Sequence, residues 1–511
     1  MNSFDYVIVG AGSAGCVVAA RLTEDANTRV LLLEAGGEDT SDLIHVPSAW
    51  PALWGTEYCW DYRTEPQAGT SGTVHVWPRG KVLGGSSSIN AMVYLRGHRN
   101  DFDSWEREGA AGWGFSGVLP FFRRMEHVPG NEPDYRGRGG PITPSVVSDP
   151  NPLSQIFLDA AAELKYPTTQ DFNGSVQEGA GWHELLIAGG KRLSAAAAYL
   201  HPASARPNLT IITRARARRL LFKASRCIGV EYMREGALNR VAAEAEVIVC
   251  AGAVGSPKLL LASGVGPAEH LREVGVEVVN DLPGVGQNLH DHPLLGFVVE
   301  ASREIPPGTA NHAEVSMLWR SDPGIPGPDM QTILIHFPFH LPGFHSPANS
   351  YTIGISIVPR SRGWIKLSSS DPDAPPVINP NYLDDYSDVQ RLVLGVERAR
   401  ELNAARAFYG WRKREILPGR SARKDTELRR YVARATGTYC HPVGTCKMGV
   451  DGMSVVNPYL QVHGMTGLRV VDASVMPTIV SANINAATLM IGEKASSLIR
   501  GDRLFSDFYA S

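Results

Sequence analysis

The chain has 511 residues, more than one hydrophobic core usually serves, so two interlocked domains are expected. With 43% hydrophobic and 20% charged residues it has the composition of an ordinary soluble protein, and a formal charge of −3 without a Lys/Arg block excludes general attraction to nucleic acid or anionic membranes. No apolar run reaches the ~18 residues of a membrane span, no leader-like segment precedes the first strand, and the 6 cysteines contain no Cys-x-x-Cys pair, so a cytoplasmic protein without a disulfide framework is expected.

Residues 4–9 read as a buried strand, 14–24 as a helix with small residues for close packing, and 29–33 as a second strand, giving βαβ order. Gly10-Ala11-Gly12-Ser13-Ala14-Gly15 stands between the first strand and the helix. In such a fingerprint Gly10 makes the tight turn, Gly12 admits a pyrophosphate and Gly15 lets helix and strand touch, while the helix N-terminus faces the phosphates. Glu34 ends the second strand about 20 residues on, where a carboxylate accepts ribose hydroxyls and repels the 2′-phosphate of NADP. These features imply a dinucleotide without separating FAD from NAD. Further on, Gly84-Gly85-Ser86-Ser87 offers an unhindered backbone with consecutive N–H donors.

Residues 247–250 read as another short strand, and an Ala-Gly-Ala-Val-Gly-Ser-Pro turn feeds a helix over 258–263 that stops at Gly264. Alternation at 351–359 and 364–368 predicts an antiparallel sheet within 293–434, followed by helices over 387–403 and 425–435. A short strand at 468–471 and a helix over 485–500 close the chain. The reading is α/β: a discontinuous Rossmann-type domain (1–150, 205–292 and 450–511) with an inserted α+β cap on an antiparallel sheet (151–204 and 293–449).

Several segments carry a resemblance to a known family. They are Gly80-Lys81-Val82-Leu83-Gly84-Gly85-Ser86-Ser87-Ser88-Ile89-Asn90 with Tyr94, Gly97 and Asp103; Gly252-Ala253-Val254-Gly255-Ser256-Pro257-Lys258; Val285-Gly286-Gln287-Asn288-Leu289-His290-Asp291-His292; His441-Pro442-Val443-Gly444-Thr445; Gly467-Leu468-Arg469-Val470-Val471-Asp472-Ala473-Ser474; and Ser481-Ala482-Asn483-Ile484-Asn485-Ala486. In this order the chain resembles the glucose–methanol–choline (GMC) oxidoreductases from end to end. The resemblance implies FAD on an architecture like that of p-hydroxybenzoate hydroxylase. It implies cofactor contacts at Gly10, Gly12, Ser13, Ala14, Gly15, Leu83, Gly84, Gly85 and Ser86, with Asn90, Ala91, Met92 and Val93 near the flavin ring. Glu34, Ala35, Ala217 and Ala251 would lie by the adenosine half, Asp472 and Ala473 by the ribityl–pyrophosphate, and Asn483 and Ala486 at the flavin. Ile89 stands where some relatives tether FAD through a histidine, so non-covalent FAD is expected.

Oxidising a carbinol removes a proton and a hydride, and imidazole, with an ordinary pKa of ~6.5, suits the proton. With 15 histidines, spacing selects none; the resemblance selects His441, with Asn485 in the partner position that holds His or Asn in relatives. An amide there can hold the substrate oxygen, and Asn485 could also cap the last helix. His336 in the stretch 336–345 and Tyr439 are candidates for the substrate wall. His290-Asp291-His292 is read as a structural turn, with no metal expected. The expected activity is oxidation of a primary alcohol to an aldehyde, with a dehydrogenase using an external acceptor (a quinone or carrier) favoured over an oxidase using O₂. A hydroxynitrile-lyase-like enzyme and a flavin photoenzyme are the alternatives on the same fold. Oligomeric state is not legible.

Overall fold

The computed structural model describes residues 3–130 and 132–502, so the last residues of the expected segment 450–511 lie outside the described residues. The strand Ser3–Val9 is flanked in parallel by Val30–Leu33 and by the C-terminal half of the long strand Ala237–Val249. Leu209–Ile212 extends the sheet on one side and Leu468–Val470 on the other, both parallel. Val7, Ile8 and Val30 to Leu33 are buried, as a parallel sheet covered on both faces demands. The N-terminal half of Ala237–Val249 leaves this arrangement for an antiparallel meander with Arg226–Arg234 and Ala215–Lys223. Helices Ser13–Leu22 and Asn485–Arg500 cross in close contact: a Cβ on Gly492 would lie 2.9 Å from the Cβ of Val17.

A second, antiparallel sheet runs Arg412–Leu417, Pro293–Ala301, Ser350–Ile357, Met330–Ile335, Val315–Trp319 and Gly179–Trp182, with Gly437–Thr438 on Pro293–Ala301. Its central strands alternate between two covered faces. Ile353, Ile355 and Leu334 pack with residues of helices Pro152–Glu163 and Tyr386–Ala404. Ile333 and Ile335 turn the other way, toward the parallel-sheet side, with Phe337, Phe339 and Tyr439 beside them.

Several elements depart from expectation: the strand expected over 247–250 is the end of Ala237–Val249, and Trp364–Lys366 pairs with Val377–Asn379 apart from the second sheet. The helix expected over 258–263 is Gly252–Ala262, so the supposed turn is its first half and Pro257 lies inside it. Proline donates no N–H, which would leave the carbonyl one turn earlier without its helical partner. That carbonyl, on Ala253, instead accepts the Thr445 hydroxyl at 2.7 Å. The last helix, Asn485–Arg500, has Ile484 as its N-cap; Asn485 is its first helical residue and does not cap it. No helix among the described residues is long and apolar enough to cross a membrane.

Candidate active site

The two glycine segments interlock at the end of the parallel sheet. Gly10 has φ +103°, and a Cβ there would meet the Cys250 carbonyl at 2.5 Å; a Cβ on Gly15 would meet the Gly10 carbonyl at 1.9 Å. Gly85, at φ +54°, presses against Gly12, 2.7 Å from its Cα to a notional Cβ. Gly12 itself has nothing nearer than 4.0 Å on its own Cβ side, which leaves its backbone open to a ligand. The expected row of free donors at 84–87 is not found. The N–H groups of Gly84, Gly85 and Ser87 donate to the carbonyls of Ala11, Val82 and Gly84, because the segment docks on the nucleotide loop through Gly84 and closes a short 3₁₀ turn through the other two.

Glu34 is buried and accepts the N–H groups of Ala11 at 2.9 Å and Gly36 at 2.7 Å. Burial outweighs these donors and pushes its carboxyl up to about 7. Asp472 accepts Gly252 N–H at 2.8 Å, Ser256 Oγ–H at 2.5 Å and Ser474 N–H at 2.8 Å, which ties the Leu468–Val470 strand to the helix Gly252–Ala262. Asn90 Oδ1 accepts the N–H of Met92, which has φ +57°, and is held by Arg192 Nη1 at 2.8 Å.

His441 sits where the second sheet meets the first. The residue before it, Cys440, is in the left-handed region at φ +61°, a strained conformation for a side chain with a Cβ. Three hydrogen bonds hold that turn. Cys440 N–H donates to Thr438 Oγ1 at 2.8 Å, Arg79 Nη1 donates to the Cys440 carbonyl at 2.6 Å, and His441 N–H donates to Asp291 Oδ1 at 2.6 Å. Asp291 also accepts the hydroxyls of Tyr382 and Thr438, and burial raises its carboxyl to about 6. The His441 ring packs on Tyr439, with centroids 4.3 Å apart, and its Nδ1 lies 3.0 Å from Nδ1 of His292. Its Nε2 lies 3.4 Å from the amide nitrogen of Asn483. Burial, then His292 and Arg79, keep the imidazole well below 6.5, so it is neutral and able to take a proton.

The structure thus brings Asn483, rather than Asn485, to His441. Asn485 faces the nucleotide loop, where its Oδ1 accepts the Ser13 hydroxyl at 2.8 Å. One cleft with a cavity of about 500 Å³ lies among these groups. Gly10, Gly12, Ser13, Ala14, Glu34, Ala35, Gly85, Ser86, Asn90, Ala91, Met92, Val93, Ala217, Ala251, Asp472, Ala473, Tyr439, His441, Asn483 and Asn485 line it. Gly15, Leu83, Gly84 and Ala486 are absent from its wall and support it from behind. His336 is also absent: it lies on the helix side of its strand, bonded to Ser154 at 2.9 Å, and Ile333, Ile335 and Phe339 line the cleft in its place. Buried polar atoms in the wall without a hydrogen-bond partner among the described residues include Asn483 Oδ1 and Asn485 Nδ2. Such atoms cost about 1–3 kcal/mol each when left unpaired, so the cleft is built for a ligand with polar edges. That demand, the open Gly12 and the paired Glu34 fit a dinucleotide bearing a heteroaromatic ring.

Models of the GMC oxidoreductase family match residues 4–294 and 359–492. The chain belongs to that family. Human mitochondrial choline dehydrogenase is 42% identical over 98% of this chain and 90% of its own length. The alcohol dehydrogenase [acceptor] of Pseudomonas putida is 40% identical over 97% of this chain and 95% of its own. The crystal structure of pyridoxine 4-oxidase from Mesorbium loti superposes with a TM-score of 0.95 at 37% identity, covering 98% and 99% of the two chains. This GMC oxidoreductase is therefore an FAD enzyme that oxidises CH–OH groups.

Sequence reasoning missed several residues of this GMC site. Arg79, Thr438 and Asp291 hold the His441 turn, and Trp50 and Trp54 line the cleft as an edge-to-face pair with centroids 5.3 Å apart. The side chains of the 290–292 triplet diverge: Asp291 serves the His441 turn, His292 meets the His441 ring, and His290 packs on Gly444, whose Cβ position lies 2.8 Å from its Nδ1.

Proposed function

We propose that this enzyme oxidises uncharged primary alcohols carrying an aryl or alkyl group, with His441 as the base and Asn483 as its partner at the alcohol oxygen. The observation that carries the reading is the convergence of a neutral imidazole and an unpaired amide oxygen on one cleft. His441 Nε2 takes the hydroxyl proton, while the Asn483 amide, able both to donate and to accept, fixes the oxygen as it becomes a carbonyl. FAD, when bound, supplies the hydride acceptor for the carbinol carbon. Asn485 and Ser13 work on the cofactor side, as do Glu34 and the Gly10–Gly15 loop. Ile89 has no nucleophilic atom, so no tether forms there and FAD is held non-covalently. The parallel sheet heads a nucleotide domain (1–150, 205–292 and 450–511, as far as described), and the antiparallel sheet heads the cap (151–204 and 293–449).

On the cap side Leu294, Ala313, Ile333, Ile335 and Phe339 give the cleft an apolar wall. Carboxylates elsewhere in the cleft are engaged by the protein, Glu34 and Asp472 by backbone N–H groups and Asp373 by Arg216 and Arg218. Asp61, at the exposed hairpin, is the exception. A quaternary ammonium finds no free buried carboxylate here and only aromatic faces such as Trp50 and Trp54, whereas an aryl or alkyl group gains from burial along the whole apolar wall. Relatives at about 40% identity carry dehydrogenase names, one of them with an unspecified acceptor and several oxygen-dependent; the first kind supports the preference for an external electron acceptor over O₂. Anaerobic mixing with aryl, alkyl and choline-type alcohols tests this. Aryl and alkyl alcohols are expected to bleach the flavin faster than choline, and colour is expected to return slowly in air. Preference for choline would overturn the substrate class, and rapid recolouring would make the enzyme an oxidase.

A further inference from the structure

Resting on His441 as the base, we propose that His292 is a positioning residue that locks His441 in the tautomer whose bare nitrogen, Nε2, faces the alcohol. The two imidazoles meet through like atoms, Nδ1 to Nδ1 at 3.0 Å. One shared proton is the sole arrangement that makes a hydrogen bond between neutral rings, since two protons would clash and none would oppose two lone pairs. If His292 gave that proton, the proton of neutral His441 would sit on Nε2 and the base would be spent.

Both outer ends of the pair select the opposite arrangement. The Val480 carbonyl, which can only accept, bonds the His292 ring. With Nδ1 turned to His441, that donor is Nε2–H, which leaves His292 Nδ1 bare. At the other end, Asn483 presents its amide nitrogen, a donor, to His441 Nε2 at 3.4 Å, which needs a lone pair there. His441 Nδ1–H therefore donates to His292, and Nε2 carries no proton, so its lone pair, met by Asn483 at 3.4 Å, is the one that can take the hydroxyl proton.

The surroundings keep His292 in this part. It is buried (3% exposed), and the carboxylate beside it in sequence, Asp291, is taken up by Tyr382, Thr438 and the His441 N–H. The other charged group near His441, Arg79, points to the Cys440 carbonyl. A neutral acceptor orients the base without raising its proton affinity, unlike a carboxylate in the same place.

The test reads protons directly, with ¹⁵N-labelled histidine rings in the FAD-loaded protein. The wild type is expected to carry the His441 proton on Nδ1. His292→Leu should shift it to Nε2 and slow anaerobic flavin bleaching by an alcohol about 100-fold. His292→Asn, whose amide can accept from His441 and donate to Val480, should restore the Nδ1 proton and most of the rate. A wild-type His441 protonated at Nε2, or a Leu variant with unchanged tautomer and rate, overturns the proposal. Should the Leu variant fail to fold, the wild-type spectrum decides by itself. Should no alcohol bleach the flavin, the function fails while the tautomer remains readable.

Discussion

Asn483 and Asn485 stand two residues apart, yet face different partners. Asn483 precedes the last helix and reaches His441, whereas Asn485, already helical, reaches Ser13 in the phosphate loop. Asn483→Ala is accordingly expected to slow flavin bleaching by an alcohol about 10- to 100-fold with FAD retained. Asn485→Ala is expected to weaken FAD binding, measured by titrating apoprotein with FAD, and to change the bleaching rate less once loaded. Reversed effects would return Asn485 to the partner role. The pair of asparagines was legible in the sequence; which one turns to His441 was not, because that depends on where the helix begins. His292 was illegible as a contact of His441 for a related reason: 149 residues separate them, and only the antiparallel pairing of Gly437–Thr438 with Pro293–Ala301 closes that gap.

At the scale of elements, the nucleotide loop was the most legible part, because each glycine answers a local requirement. Gly10 needs a positive φ, Gly15 a missing Cβ, and the helix must start where the strand ends. The second glycine segment was legible as a partner and misread in detail, since its donors close its own turn or bond the Ala11 carbonyl. Gly85→Ala should push against Gly12 in a backbone region that penalises a side chain, and is expected to abolish FAD retention on purification. Normal yellow protein from that variant would contradict the interlock. The strand Met330–Ile335 was not recognised in the sequence, and the error at His336 follows from that. Period-2 alternation sends Ile333 and Ile335 to the cleft and the next even-numbered position to the helices. The helix start at Gly252 was hidden for another reason: Pro257 reads as a beginning unless a distant hydroxyl, that of Thr445, is known to satisfy Ala253.

Across the whole molecule, folding buries imidazoles in their neutral form. Burial lowers His75 and His183 to about 4, and His292 and His336 to about 3, from an ordinary 6.5. A base with a depressed folded pKa contributes stability that is full above 6.5 and is lost as the pH falls toward the folded value, because the unfolded chain takes up the proton first. For His183, fully buried between the Ala313 carbonyl and Ser316, the loss between pH 6.5 and 4 is about 3 kcal/mol. Glu34, Asp101 and Asp291, raised to between about 6 and 7, act in the opposite sense and favour the fold at lower pH. The contribution of His183 is therefore read as a difference. His183→Gln, which does not titrate, should lose less stability than the wild type on acidification in denaturant unfolding. Parallel curves for the two proteins would show that His183 does not titrate on unfolding.

The claim on which the rest depends is that His441 takes the alcohol proton in a cleft that holds FAD. The measurement that tests it most directly is anaerobic mixing of a primary aryl alcohol with FAD-loaded wild type and with His441→Ala, following loss of the yellow flavin band. Prompt bleaching of the wild type is expected, slowed about 10²- to 10⁴-fold in the variant, while dithionite bleaches both alike. A variant as fast as the wild type, or a wild type bleached by dithionite and by none of the alcohols, would contradict the account.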